Sequence, residues 1–273
     1  QAAIESVLRA NQIARSKPCG PVYVCLDAGL QEEELPKGVT IPDVSRYAPA
    51  PPPAADRPTI RKIIAAVKKA KSPVMLIGRG ARSQEAWDNR TKLAEVLGCA
   101  VMTHIRAGSV FPTEHPSHIV PPCQRPNDAN KNLIRSADLL FNLGFNDFAG
   151  FLRLCTGNSQ TQNPTNATVI NASLQQYLHN GWNTDYQAMP AVDINVLADP
   201  DMVISQILEE LGVKGKPTGK PKLKPALKKL THWTKTAAAK AKPSSETGAM
   251  EAKDFHLVMS DFVCNDPQIS LCH

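Results

Sequence analysis

Ser72-Pro-Val-Met-Leu-Ile-Gly-Arg-Gly-Ala81 is the stretch that decides the fold. Four apolar residues, Val74 to Ile77, are too few for a core helix and are bounded by Pro73 and Gly78. That pattern predicts a strand buried on both faces. The Gly78-Arg79-Gly80 turn follows, then a helix beginning at Ser83.

The same alternation continues outward. Upstream, the sequence predicts a helix from Thr59 to about Lys71, capped by Thr59, with Ile60, Ile63, Ile64 and Val67 on one face. Downstream, Ser83–Leu97 reads as a helix stopped by Gly98. Further strands are predicted at Cys99–Thr103, Leu139–Leu143, Thr168–Ile170 and Val192–Val196. Asn127–Ser136 and Pro200–Leu211 read as helices. Strands alternating with helices predict an α/β fold, a Rossmann-like parallel sheet with helices on both faces.

The flanks read differently. Ile4–Arg15 has helical apolar spacing, and Pro18-Cys-Gly-Pro21 ends it. Val22-Tyr-Val-Cys-Leu26 reads as a buried strand. Pro49 to Pro58 is proline-rich, lacks amide donors and reads as an extended linker. Beyond Gly212, ten lysines and no acid lie between Lys214 and Lys242. Subtracting those lysines from the formal charge of +6 leaves −4 for the rest, so the basic character belongs to this segment. The expected reading is a solvated linker, with Leu227–Ala241 a candidate basic helix and Glu251–Val263 an amphipathic one. The segment could attract nucleic acid by charge, but Trp233 is its single aromatic and gives no stacking platform, so nucleic acid is not the expected partner.

The expected divisions are therefore 1–31, a helix and strand; 32–58, a Pro-rich linker; 59–212, the α/β domain; 213–248, a Lys/Pro-rich linker; and 249–273, a final segment.

Chemistry-bearing motifs are sparse. Open α/β sheets bind ligands beyond the carboxyl ends of their strands, so Gly78, Arg79 and Gly80 form a candidate nucleotide turn. An acid for ribose hydroxyls is expected at the end of the Thr168–Ile170 strand, and Asn171 stands there instead. Phe141-Asn-Leu-Gly-Phe-Asn-Asp147 also follows a strand end and either edges a cleft or turns the chain. His104, His115 and His118 share a loop at a spacing that suits no common metal site and read as solvated. No catalytic residue and no metal ligand is assigned, and no GxSxG, Walker A or HExxH motif occurs. Seven scattered cysteines with no CxxC pair argue against zinc and for a reducing, cytoplasmic compartment. Cys25 and Cys99, in apolar runs, read as buried. No apolar run is long enough to span a bilayer.

Taken together, Gly20-Pro-Val-Tyr-Val-Cys-Leu26, the Pro-rich linker, Pro73-Val-Met-Leu-Ile-Gly-Arg-Gly-Ala81, Ala137-Asp-Leu-Leu-Phe-Asn-Leu-Gly144 and Ala198-Asp-Pro-Asp201 resemble thiamine-diphosphate-dependent enzymes of the acetolactate synthase and benzoylformate decarboxylase type. The resemblance implies three α/β domains in the parent: pyrimidine-binding, central and diphosphate-binding. Residues 4–26 then resemble the end of the first, 59–212 the second and 249–273 the approach to the third. It implies thiamine diphosphate and magnesium in the parent, held by segments other than these, so no cofactor is expected in this chain. It also implies a homo-oligomeric lyase or transferase. Some relatives carry FAD on the central domain; Asn171, in place of their acid, counts against a flavin here. Tyr177-Leu-His-Asn-Gly-Trp182 departs from the better-known synthases. The expected function is a non-catalytic scaffold portion of a 2-keto acid lyase or carboligase. The alternative is a stand-alone NAD- or FAD-binding α/β protein. A sirtuin-like deacylase would need two CxxC zinc pairs, and these are absent.

Overall fold

A computed structural model describes residues 2–35, 37–157, 165–174 and 189–233. The predicted helix at Glu251–Val263, the 249–273 segment and the Tyr177–Trp182 departure lie outside the described residues.

At the centre is a five-stranded, all-parallel sheet of β1 (Pro73–Ile77), β2 (Ala100–Thr103), β3 (Leu139–Leu143), β4 (Thr168–Ala172) and β5 (Ile194–Val196), in the order β2-β1-β3-β4-β5. The helices are α1 (Ala2–Arg15), α2 (Ala28–Glu32), α3 (Arg57–Lys69), α4 (Gln84–Leu97), α5 (Asp128–Ser136), α6 (Phe148–Thr156) and α7 (Pro200–Glu210). Alternate strand residues face opposite sides, so each side has its own core. Met75, Ile77, Val101, Leu139 and Phe141 meet α3, α4 and α7 through Ile63, Leu93, Val203 and Ile207. Val74, Leu76, Met102 and Leu140 meet α5 and α6 through Leu133, Ile134, Phe148 and Leu152. The expected α/β sheet with helices on both faces is what forms.

Local chemistry sets the element ends. Ser83 caps α4, accepting from the Ala86 N–H, and Gly98 closes it at φ +66°. Asn127 and Asn130 form a reciprocal capping box on α5. Asp138 accepts from the Lys71 and Ser72 amides (2.6 and 2.8 Å), joining the start of β3 to the start of β1.

Several expectations need correction. Asp56, not Thr59, caps α3: its carboxylate accepts from the Thr59 N–H, and Pro58 sits inside the first turn. Helix α6 escaped the sequence reading because Phe148-Ala-Gly-Phe-Leu-Arg-Leu is apolar on nearly every side and shows no stripe. Val22–Leu26 is not a strand; no described segment pairs with it, and Tyr23 is 90% exposed. Cys25 is exposed with it, while Cys99 is buried as expected.

The lysine segment is also not loose where it is described. Residues 213–233 run from the end of α7 around the β2 edge of the sheet and down onto the other face, where Leu227 is buried in the second core. Leu227–Lys229 is a short 3₁₀ turn rather than the start of a long helix. No described helix is long and apolar enough to cross a membrane.

Candidate functional site

The strand order reverses direction between β1 and β3, where the connections leave to opposite sides. A cleft of about 280 Å³ opens there, at the carboxyl ends of the strands. Its lining includes Arg79 and Gly80 after β1, Arg106 and Gly108 after β2, Gly144 after β3, Ser173 after β4 and Asp199 before α7. Lys17 and Cys19, from the segment after α1, complete the rim. Lys17, Arg79, Arg82 and Arg106 face one carboxylate, Asp199, so the cleft is cationic.

The backbone beneath is tightly specified. Gly78 N–H donates to Leu143 O and Arg79 N–H to Gly144 O, both at 3.0 Å. A Cβ at Gly78 would overlap the Gly144 carbonyl oxygen, and one at Gly80 would overlap the Arg90 guanidinium. Gly144 itself sits at φ +66°. Ala81 N–H donates to Asp201 Oδ2 at 2.6 Å. Thus Gly78 and Gly80 are required by packing, and the amides of Gly78, Arg79 and Ala81 already have protein acceptors. Arg79 and Gly80 line the cleft as expected of a ligand turn; Gly78 lies under it.

The group that fixes this turn is Arg90, 1% exposed. Its guanidinium binds Asp201 through both carboxylate oxygens (2.9 and 3.0 Å), and also Ala81 O and Val110 O. A buried cation is tolerable only when its donors are met this fully. Asp199 caps α7 through the Asp201 and Met202 amides and takes Lys17 Nζ at 3.5 Å. The Asp-Pro-Asp helix start thus serves two ends at once.

Asn171 does not stand free for a ribose. Asn142 Nδ2 donates to Asn171 Oδ1 (2.7 Å), and Asn171 Nδ2 donates to Asn195 Oδ1 (2.9 Å), an amide ladder across β3, β4 and β5. Asn142 Oδ1 also accepts from Phe145 N–H and fixes the turn after β3. The sequence showed the three asparagines, but only the strand register aligns them.

The three loop histidines are buried, not solvated. His104, His115 and His118 are 5%, 6% and 0% exposed. Phe111 packs edge-on to His115 and stacks on His118. Burial pushes His118 down to about 3, so it is neutral, and its Nε2 lies 2.9 Å from Thr103 Oγ1. His115 is also held below its usual range, chiefly by burial. His115 Nδ1 accepts from Ser117 N–H, leaving Nε2 to donate to Glu95 at 3.2 Å. Among the described residues, no three His, Cys, Asp or Glu side chains are grouped to hold a metal ion. Lys17, Arg106 and Arg90 were missed by sequence reasoning because each comes to the site from a different part of the chain.

Residues 60–207 match the family "Thiamine pyrophosphate enzyme, central domain". The chain belongs to the thiamine pyrophosphate enzymes. Its similarity to the acetolactate synthase large subunit of Corynebacterium glutamicum is 24% identity over 209 residues, 75% of this chain and 31% of that protein. With the acetolactate synthase of Mycobacterium avium it shares 30% over 156 residues, 57% of this chain and 23% of that one. The chain therefore spans less than a third of the length of these relatives. In fold it resembles the benzoylformate decarboxylase of Polynucleobacter necessarius, with a TM-score of 0.61 at 17% identity, over 97% of this chain and 43% of that one. The stand-alone nucleotide-binding reading is not favoured by these likenesses. The switch-point cleft and its Arg90–Asp201 support are thus features of a thiamine pyrophosphate enzyme central domain.

Proposed function

We propose that this chain is the non-catalytic scaffold of a 2-keto acid lyase or carboligase of the acetolactate synthase type. Residues 1–31 are the end of a pyrimidine-binding-type domain, 32–58 and 213–248 are connecting segments, and 249–273 approach a diphosphate-binding-type domain. The observation that carries this reading is the family match over 60–207, with exposed apolar side chains crowded on the preceding segment. Tyr23, Leu30, Leu35 and Ile41 are 65–90% exposed, as expected of a surface that neighbouring domains or subunits cover in a homo-oligomer.

The cleft residues do not suit a magnesium-bound diphosphate. Magnesium takes hard oxygen ligands, and the lining sets four cations beside a single carboxylate already engaged by Lys17 and the α7 amides. Thiamine diphosphate and magnesium are accordingly assigned to other segments of the parent, and no catalytic step is assigned to this chain. What its residues do is hold the β1–β3 junction rigid through Arg90 and tie the Pro-rich segment to α7. In that tie, Gln206 bonds both the N–H and O of Ala55, and Asp199 N–H donates to Pro53 O.

The free cysteines among the described residues fit a reducing, cytoplasmic location. A ligand phosphate at Arg79 and Gly80, beside Lys17, Arg82 and Arg106, is a second reading that the cationic lining favours; a flavin is disfavoured by the engaged Asn171. Titration of the chain with FAD and NAD tests it, with micromolar binding in support and no heat against. The main proposal predicts that the product of the full open reading frame turns over a 2-keto acid with thiamine diphosphate and magnesium, while these 273 residues do not. Turnover by the 273-residue chain would sink it.

A further inference from the structure

We propose that the lysine strap, Lys216 to Lys229, is a preformed docking rail for a linear phosphate chain. From Lys220 to Lys224 its basic and apolar residues alternate. Pro217, Pro221 and Leu223 are half-buried and Leu227 is buried, whereas Lys216, Lys220, Lys222 and Lys228 are exposed. Lys220 and Lys222 are exposed on either side of half-buried Pro221; residues two apart in extended backbone are spaced by about 6.6 Å, comparable with successive phosphates of a stretched single strand. Exposed Lys68 and Lys69, at the end of α3, lie beside the strap, where Lys224 Nζ donates to Lys68 O at 3.1 Å.

The strap is held in place. Glu95, on α4, accepts from Thr218 N–H (2.9 Å), Thr218 Oγ1 (3.0 Å) and Gly219 N–H (2.6 Å). Lys222 N–H donates to Glu95 O and Lys224 N–H to Gly98 O. A Cβ at Gly98 would overlap Lys222 O, so that glycine serves strap as well as helix. Trp233 N–H donates to Ile119 O at the far end. The prolines leave few strap amides to pair as a strand, so side-chain anchoring substitutes for a ladder.

Two consequences follow for a ligand. Among the described residues no carboxylate forms an ion pair with a strap lysine, and the Glu95 carboxylate is turned inward on the strap's own backbone. The ordering cost that a loose lysine tail would meet on binding has also been met in advance. A linear phosphate chain fits better than a lipid surface, because the strap's larger apolar side chains, Leu223 and Leu227, are turned into the protein, and of the apolar side chains in Lys216–Lys229 only the small Pro225 and Ala226 are exposed. With no aromatic in Lys216–Lys229, bases have nothing to stack on, and recognition is of phosphates irrespective of sequence.

The test is fluorescence anisotropy of the whole chain with a labelled 20-nucleotide oligo(dT), inorganic polyphosphate as competitor, and phosphatidylglycerol vesicles in a parallel arm. The expected result is saturable oligonucleotide binding at low salt, displaced by polyphosphate. Binding should weaken linearly in log salt, with a slope of about −2 to −4 for three to five phosphates. Displacement by polyphosphate identifies the phosphate chain as what is recognised; oligonucleotide binding that polyphosphate does not displace would contradict the proposal, because the rail has nothing with which to hold bases. Lys220→Glu with Lys222→Glu should lose binding by about tenfold or more. Glu95→Gln separates a rail from a merely charged tail. It removes a negative charge, so a loose polycation would bind as well or more tightly, whereas a rail predicts several-fold weaker binding and faster tryptic cleavage after Lys222, Lys228 and Lys229. No saturable binding at low salt, an unchanged charge-reversal variant, tighter binding by Glu95→Gln, or binding to vesicles alone would each overturn the proposal.

Discussion

Two regions of this molecule treat their apolar residues in opposite ways. In the sheet domain, Met75, Leu76, Phe141 and Ile207 are completely buried between helices. In residues 2–48, Leu8 is buried, but Tyr23, Leu35 and Ile41 lie open at 79–90% exposure. The first region has closed its own core. In the second, Tyr23, Leu35 and Ile41 are left uncovered by the described residues. That contrast is what the proposed scaffold role requires: a sheet domain with its own core, beside a segment whose apolar side chains would be covered by neighbours.

Substitutions should sharpen the contrast. The largest effect is expected at Arg90→Ala, which strips the partner from Asp201 and leaves the carbonyls of Ala81 and Val110 unmet. The expected loss is about 3–5 kcal/mol in denaturant unfolding. Acid should come next. His118 is neutral when folded, whereas its unfolded form takes up a proton below about 6.5. Stability is therefore whole above pH 6.5 and lost progressively as pH falls toward about 3. Melting curves across that range should show the loss, and His118→Gln should flatten it. Glu95 adds to it lower down: hydrogen bonds from Thr218, His115 and Gly219 outweigh burial and hold its carboxyl below 4.5, so the strap's anchor is whole above that pH and fails as pH drops beneath. Gly78→Ala should cost about 1–3 kcal/mol, because the obstacle is the Gly144 backbone rather than a movable side chain. At the small end, Leu35→Ser or Ile41→Ser should change unfolding by less than about 0.5 kcal/mol. A loss of several kcal/mol there would mean the N-terminal apolar surface is already covered, and the contrast would fail.

The regular part of the fold was legible because local and global signals agree. Leu139–Leu143 is a strand in sequence and in structure with the same ends, since four apolar residues in a run of five between Asp138 and Gly144 are too short for a core helix. Ser83 and Gly98 bracket α4 for the same kind of reason. What escaped depends on partners distant in sequence. Val22–Leu26 has strand composition, but a strand exists only with a neighbour. The loop histidines read as solvated, because a polar, Gly- and Pro-containing loop gives no hint that Phe111 packs on them or that the chain beyond the strap returns to their loop, where His232 bonds Thr113 O. Lysine content alone describes a loose tail, and only the Glu95 contacts reveal a fixed one. The Gly78-Arg79-Gly80 turn was found, but its glycines answer first to Gly144 and Arg90.

The most direct test of the scaffold account is calorimetric titration of thiamine diphosphate with magnesium into the purified 273-residue chain. The account predicts no saturable heat. Stoichiometric, micromolar binding would place the cofactor on these residues and contradict it.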